Sequence, residues 1–173
     1  MRRSDDSNAP TLPRSTCDHG PVRTSIVIAL LLMATACGPT VVDVTKPSGQ
    51  VIFSTNAQAP STLNVGVADT PEERQQGLSG VTSLPRDYGM AFLYTQPTAD
   101  EFWMKDTLVP LSIAFVGSGG TIMAIREMTP CLTEPCRMYV SPGPYTLAIE
   151  ANPRWFVSNR IRVGDSAAMA AIP

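Results

Sequence analysis

Six residues could do chemistry together: Arg74, Trp103, Lys105, Asp106, Thr107 and Glu150. Four of them fall in one run, Phe102 to Thr107, which reads FWMKDT. An indole beside an ammonium group and a hydroxyl makes a wall for a polar ligand. Trp supplies contact area at small entropic cost, Lys supplies charge and Thr supplies orientation. The competing reading is structural. Trp103 would cap the core, Lys105 would pair with Asp106 or with a helix carboxylate such as Glu72 or Glu73, and Thr107 would simply favour a strand. Arg74 and Glu150 stand in apolar sequence, where a charge needs a partner. Either they form a mutual buried ion pair, or they flank the Trp103–Lys105 row and complete a polar pocket. Met90 and Met104 read as core filler, and Asp165 in Val-Gly-Asp as a turn residue.

Which chemistries remain open depends on what the N-terminus loses. Ser25 to Met33 reads SIVIALLLM, an apolar run shorter than the roughly 20 residues of a membrane-spanning helix. It follows Arg23 and leads into Ala34-Thr35-Ala36-Cys37. A positive flank, a short apolar core and small residues form a secretory signal. The terminal cysteine resembles a lipoprotein lipobox, with Ala34 where leucine is usual, so Cys37 is the expected lipidation site. The alternative is an ordinary signal peptide cut near Ala36. Asp5, Asp6 and Asp18 dilute the charge expected of a signal start, and translation from near Val22 would put Arg23 at the N-terminus. The expected partition is a leader over 1–36, a lipid-anchored tether over 37–60 and one domain over 61–173. Its location is the bacterial cell envelope, with the membrane as a partner through the lipid on Cys37.

Cleavage would remove His19, the only histidine, together with Cys17. A chain beginning at Cys37 keeps 9 Lys and Arg against 12 Asp and Glu, a net charge near −3. That is no electrostatic footprint for nucleic acid. Without histidine, Ser-His-Asp and Cys-His catalysis and histidine-ligated zinc drop out. Cys131 and Cys136, in PCLTEPC, are expected to form a disulfide closing a small loop. The alternatives are a redox pair or half a metal site. Four intervening residues do not match a thioredoxin-type motif, and no further Cys or His completes a zinc site. No metal and no cofactor is expected.

The elements that must position these residues are short. Val51 to Phe53 is a candidate first strand, and Leu63, Val65 and Val67 alternate with polar or small residues as a half-buried strand. Thr70, Pro71 and Glu73 form a capping box with a proline start, and Gly77 follows as a stop, which predicts a helix of about two turns. Met90 to Tyr94, Phe102 to Val109, Leu111 to Val116 and Thr121 to Ile125 read as strands, the last pair joined by the Gly117–Gly120 hairpin loop. In the second of these, Phe102, Met104, Asp106 and Leu108 would face one way, and Trp103, Lys105, Thr107 and Val109 the other. In the third, Leu111, Ile113 and Phe115 would be core, opposite Ser112 and Ala114. RMYV (Arg137–Val140) and PYTLAIE flank Ser141-Pro142-Gly143 as a second hairpin. Asn152-Pro153 can start a short helix through Trp155, and RIRV (Arg160–Val163) and SAAMA (Ser166–Ala170) close the chain as strands. The fold class is therefore all-β, a compact β-sandwich or barrel with one or two short helices.

ERQQGL, LPRDYGMAF, FWMKDT, VPLSIAFV, the Gly-rich turn, the Cys131/Cys136 pair followed by Tyr139, and IRVGDS occur in that order. Together they resemble the domain-of-unknown-function 192 family over about Leu63 to Met169. The resemblance implies a small, all-β, jelly-roll-like domain, often behind a secretion signal, and carries no established activity. Two positions depart from the family pattern: Ser79 stands where methionine is usual, and Ser112 where aspartate is usual. The second removes a carboxylate, so a mechanism needing it does not transfer.

Three functions stay open. The first is a lipid-anchored binding or accessory domain that takes a small polar ligand, a glycan or an envelope protein through the Trp103 region. The second is a hydrolase or lyase using carboxylates, for instance Asp106 with Glu150 or Asp100. The third is a structural envelope protein with no small-molecule site. Whether Trp103, Lys105, Asp106 and Glu150 share a concave site separates them.

Overall fold

The computed structural model describes residues 43–44, 46–56 and 58–170. The apolar run, Cys37 and the start of the expected tether, 37–42, lie outside these residues. Among the described residues no helix is long and apolar enough to cross a membrane. The elements are β1 (Gly49–Ser54), β2 (Ser61–Ala68), α1 (Pro71–Gln76), β3 (Tyr88–Thr98) and β4 (Leu111–Val116), followed by β5 (Ile122–Met128), β6 (Tyr145–Ala151), α2 (Trp155–Ser158) and β7 (Ser166–Ala170). They form one seven-stranded sheet in the order β5-β4-β6-β3-β2-β1-β7. Only β2 and β3 pair in parallel, and α1 lies on the crossover between them. The edge strands meet at one end. Thr121 bridges Ser166, Ile122 N–H donates to Asp165 O at 2.8 Å, and Ala167 N–H donates to Gly120 O at 2.8 Å. The sheet is thereby curled into a partial barrel, which leaves fewer strand edges unpaired.

Burial on both faces follows. One apolar core draws a residue from every strand, including Val51, Leu63, Ala91, Ala114, Ile149 and Ala167, and is completed by Trp155 and Phe156 of α2. The other lies on the opposite face of β3, β4, β5 and β6, where Met90, Phe92, Ile113 and Phe115 pack with Leu78, Phe102 and Met104. The expectation that Ser112 and Ala114 face away from the core is corrected: all six residues of β4 are buried. Ser112 is accommodated because its hydroxyl donates to Glu127 Oε2 at 2.7 Å and accepts from Arg154 N–H at 2.8 Å.

α1 forms as its sequence predicts. Thr70 Oγ1 accepts from Glu73 N–H, and Glu73 Oε2 accepts in return from Thr70 N–H, so two orphan donors are satisfied reciprocally. Those bonds hold the Glu73 carboxyl below its ordinary range. Gly77 ends the helix at φ 47°, a conformation that costs glycine little.

Three expected strands are absent. Phe102–Val109 is extended only at its start, because Asp106 takes a left-handed backbone, φ 57°, and turns the chain. Beyond that point the faces swap: Thr107 is buried and Leu108 exposed, the reverse of strict alternation. RMYV makes a single bridge, Tyr139 to Phe102, so the Ser141-Pro142-Gly143 turn does not join two strands. RIRV is bent, with Arg160 at φ 56°, Ile161 drawn into the core and Arg162 N–H held by Asp165 Oδ2 at 2.7 Å. Conversely β1, inside the stretch expected as tether, is a full strand between β2 and β7. Its Val51 and Phe53 belong to the core, so the folded domain starts upstream of Ser61.

Candidate functional site

The segment from Asp100 to Thr107 lies across the second face of the sheet, and two apolar side chains anchor it. The Phe102 ring packs edge-on against Phe92 at 4.9 Å and Phe115 at 5.7 Å, and Met104 is fully buried. Paired bonds between Phe102 and Tyr139 (3.0 and 2.8 Å), Cys131 N–H to Met104 O (3.2 Å) and Gly80 N–H to Asp106 O (2.9 Å) fix the backbone. With Phe102 and Met104 pointing in, Trp103 and Lys105 must point out. Trp103 is 51% exposed.

Between this segment, α1 and the sheet lies a cleft of about 560 Å³. Arg74, Trp103, Lys105, Thr107 and Glu150 all line it, and Asp106 does not. Five of the six residues singled out from the sequence thus share one concavity. The left-handed turn at Asp106 directs that side chain away and brings Thr107 inward in its place.

The two cations are held by the protein itself. Lys105 Nζ stands 2.9 Å from Glu134 Oε1 and 5.8 Å from the Trp103 ring centroid. Its partner is thus neither Asp106 nor a helix carboxylate but a residue of the Cys131–Cys136 loop. The hydrogen bond to Glu134 raises the Lys105 pKa and lowers that of Glu134. Both groups are exposed, so the pair is worth little to stability. Arg74 donates to Asp69 O at 2.6 Å and Leu93 O at 3.0 Å and lies over the Tyr94 ring at 4.7 Å. The mutual Arg74–Glu150 ion pair is not formed, because Arg74 is spent on backbone carbonyls and an aromatic face.

Glu150 is left buried, only 5% exposed, and forms no ion pair among the described residues. On β6 it sits opposite Met90 of β3 and Ile113 of β4, two apolar neighbours. Burial alone pushes its carboxyl up to about 8, so at neutral pH it is mainly protonated. Close approach of β3 and β6 fixes this arrangement: a side chain at Gly89 would collide with the Glu150 carbonyl. Behind the cleft, Tyr145 packs edge-on against Tyr94 at 5.4 Å and donates to Asp100 O at 2.8 Å. Burial raises both phenols above their ordinary range.

Tyr94, Glu101 and Met138 also line the cleft and were not singled out from the sequence. Tyr94 lay in a predicted strand, where an aromatic reads as ordinary packing. Glu101 and Met138 reach the cleft through the Phe102–Tyr139 bridge, which no local pattern announces. The disulfide between Cys131 and Cys136 is formed and closes the loop that carries Glu134. Among the described residues no cluster of His, Cys, Asp and Glu could hold a metal ion.

A model of the DUF192 family, described as "Uncharacterized ACR", matches residues 51–169. The chain belongs to this family. Two solved structures share the fold. One, a proposed transcription regulator from Sinorhizobium meliloti 1021, is 28% identical, with a TM-score of 0.65 over 72% of this chain and 95% of that one. The other, a protein of unknown function from Novosphingobium aromaticivorans DSM 12444, is 27% identical, with a TM-score of 0.66 over 77% and 94%. No curated protein matches the chain. Ser112, where the DUF192 pattern has aspartate, does not line the cleft. The carboxylate lost at Ser112 therefore leaves the cleft's own acids in place.

Proposed function

We propose that this DUF192 protein is an exported, lipid-anchored binding or accessory domain of the bacterial envelope. Its cleft takes a small polar ligand, either free or as part of a glycan or an envelope protein. One observation carries the reading: Arg74, Trp103, Lys105, Thr107 and Glu150 line a single cleft while half of the Trp103 surface stays open. A ligand would gain apolar contact on the indole and orientation from the polar groups around it. The apolar run before Cys37 supports the address. Val44 packs against the core on the second face of the sheet, so the spacer runs from Cys37 to Val44, about 24 Å if extended. The chain's acidic balance gives no support to the regulatory role ascribed to the S. meliloti protein.

The test is a titration of tryptophan fluorescence with neutral, anionic and cationic small polar molecules, sugars among them. Trp155 is buried, so Trp103 is the responsive reporter. At least one probe should shift the emission, and Trp103→Ala should weaken its binding by tenfold or more, by about 1.4 kcal/mol. Silence from every probe, with Lys105→Ala behaving as wild type, would retire the reading. Radiolabelled palmitate incorporated by the wild type and lost in Cys37→Ser would establish the anchor.

A second reading rests on the acids. Glu150, protonated at neutral pH, and Asp100 line the same cleft, an arrangement able to supply a proton donor and a base. Hydrolysis of an envelope glycan that Glu150→Gln abolishes would favour this reading. The purely structural alternative predicts a closed surface and is disfavoured by the cleft.

A further inference from the structure

We propose that the ligand of this cleft is an organic cation carrying an ammonium group, and that Glu150 is its counter-ion. The inference rests on the binding role just described and names the chemical class bound. It follows from which groups are already used. Lys105 is paired with Glu134, and Arg74 is bonded to two backbone carbonyls and stacked on Tyr94. Both cations of the cleft therefore already have protein partners that offset or direct their charge. The acids are in the opposite condition. Asp100, Glu101 and Glu150 line the cleft, and none of them is in an ion pair among the described residues. Glu150 is also buried and lines the cleft, and its side chain forms no ion pair among the described residues.

The walls suit the same guest. Phe92, Tyr94, Phe102 and Trp103 line the cleft, and the faces of two of them already attract the protein's own cations. Aromatic rings and a carboxylate in one cleft attract ammonium groups by ring quadrupole and by charge together. The charged and titratable groups that share the cleft with Glu150 are Arg74 of α1, Tyr94 of β3, and Asp100, Glu101 and Lys105 of the crossing segment. β3 and β4 present Met90 and Ile113 directly opposite it. Without a guest the acid holds its proton. A cation seated above it favours the carboxylate, so binding releases a proton to solvent.

Choline tests this, because its charge does not titrate and any pH dependence belongs to the protein. Its neutral isostere is 3,3-dimethyl-1-butanol. Calorimetric affinity for choline should rise roughly tenfold or more between about pH 6.5 and 8.5. Near neutral pH the binding enthalpy should change with the buffer's ionisation enthalpy, reporting release of up to about one proton. At about pH 8.5 the isostere should bind at least tenfold more weakly. Glu150→Gln, isosteric with the protonated acid, should remove the pH dependence and most of the preference for choline over its isostere. Equal affinities for the two molecules, or a choline affinity insensitive to both pH and Glu150→Gln, would overturn the proposal. If only neutral or anionic probes bind with dependence on Trp103, this inference fails and the binding role stands. If no probe of any charge binds, both fail.

Discussion

Glu150 shows how a single residue couples fold and site. An acid held protonated by burial makes the folded state bind a proton that the unfolded chain releases. Its folded pKa lies near 8 against an ordinary 4.5, so its contribution is fully present below about pH 4.5. It is lost progressively as pH rises toward 8, then levels off. We expect the melting temperature to fall across that window. Glu150→Gln should flatten the fall and be more stable at about pH 8.5 by a few kcal/mol, measured by denaturant titration at both ends. Asp106 makes a different point. At φ 57° it pays for a left-handed backbone that glycine adopts freely. Asp106→Gly should be neutral or stabilising by up to about 1 kcal/mol, whereas Asp106→Val should destabilise by about 1–2 kcal/mol in the same measurement.

Among the elements, α1 lines the cleft, and the disulfide loop holds one of its lining residues, Lys105, through Glu134. α1 is six residues long, too short to be stable alone, and depends on its cap and on Arg74 bonding across to β3. Thr70→Ala removes one half of the capping box and should cost about 1 kcal/mol by chemical denaturation. The Cys131–Cys136 bridge closes a short loop that carries the Lys105 partner Glu134. Replacing both cysteines with serine should cost roughly 2 kcal/mol. It should also loosen Lys105, seen as weaker binding of any ligand that quenches Trp103. Binding unchanged in the double variant would show that the Lys105–Glu134 contact does not shape the cleft.

At the scale of the molecule, one curled sheet carries two cores, and this decides where function can sit. The interior core engages every strand and is closed by Trp155 and Phe156 of α2. The outer core is covered only by short pieces, α1 and the crossing segments, and the cleft opens where those covers part. Gly89 lies where the two layers meet. Any side chain there would strike the Glu150 carbonyl and approach Leu63 Cδ2 to 2.8 Å. Gly89→Ala should therefore destabilise the whole domain by roughly 3 kcal/mol, read as a lowered denaturation midpoint with unchanged slope.

Local sequence determined what local chemistry controls. The capping box wrote α1, an apolar run and a glycine-rich loop marked β4 with β5, and the pairing of Cys131 with Cys136 followed from their spacing and the absence of other ligands. The clustering of polar residues around Trp103 was legible as a candidate wall. Only the tertiary structure decided which strands exist, because RMYV and RIRV carry strand-like patterns but find no continuous partner ladder. It also decided the partners of the charges. Lys105 meets Glu134 and Arg74 meets the Leu93 carbonyl because folding brings separate segments within about 3 Å of one another. Glu150 became a buried acid for the same reason. Sequence fixes how a residue faces its own strand, but the charge it meets is set by chain that arrives from elsewhere.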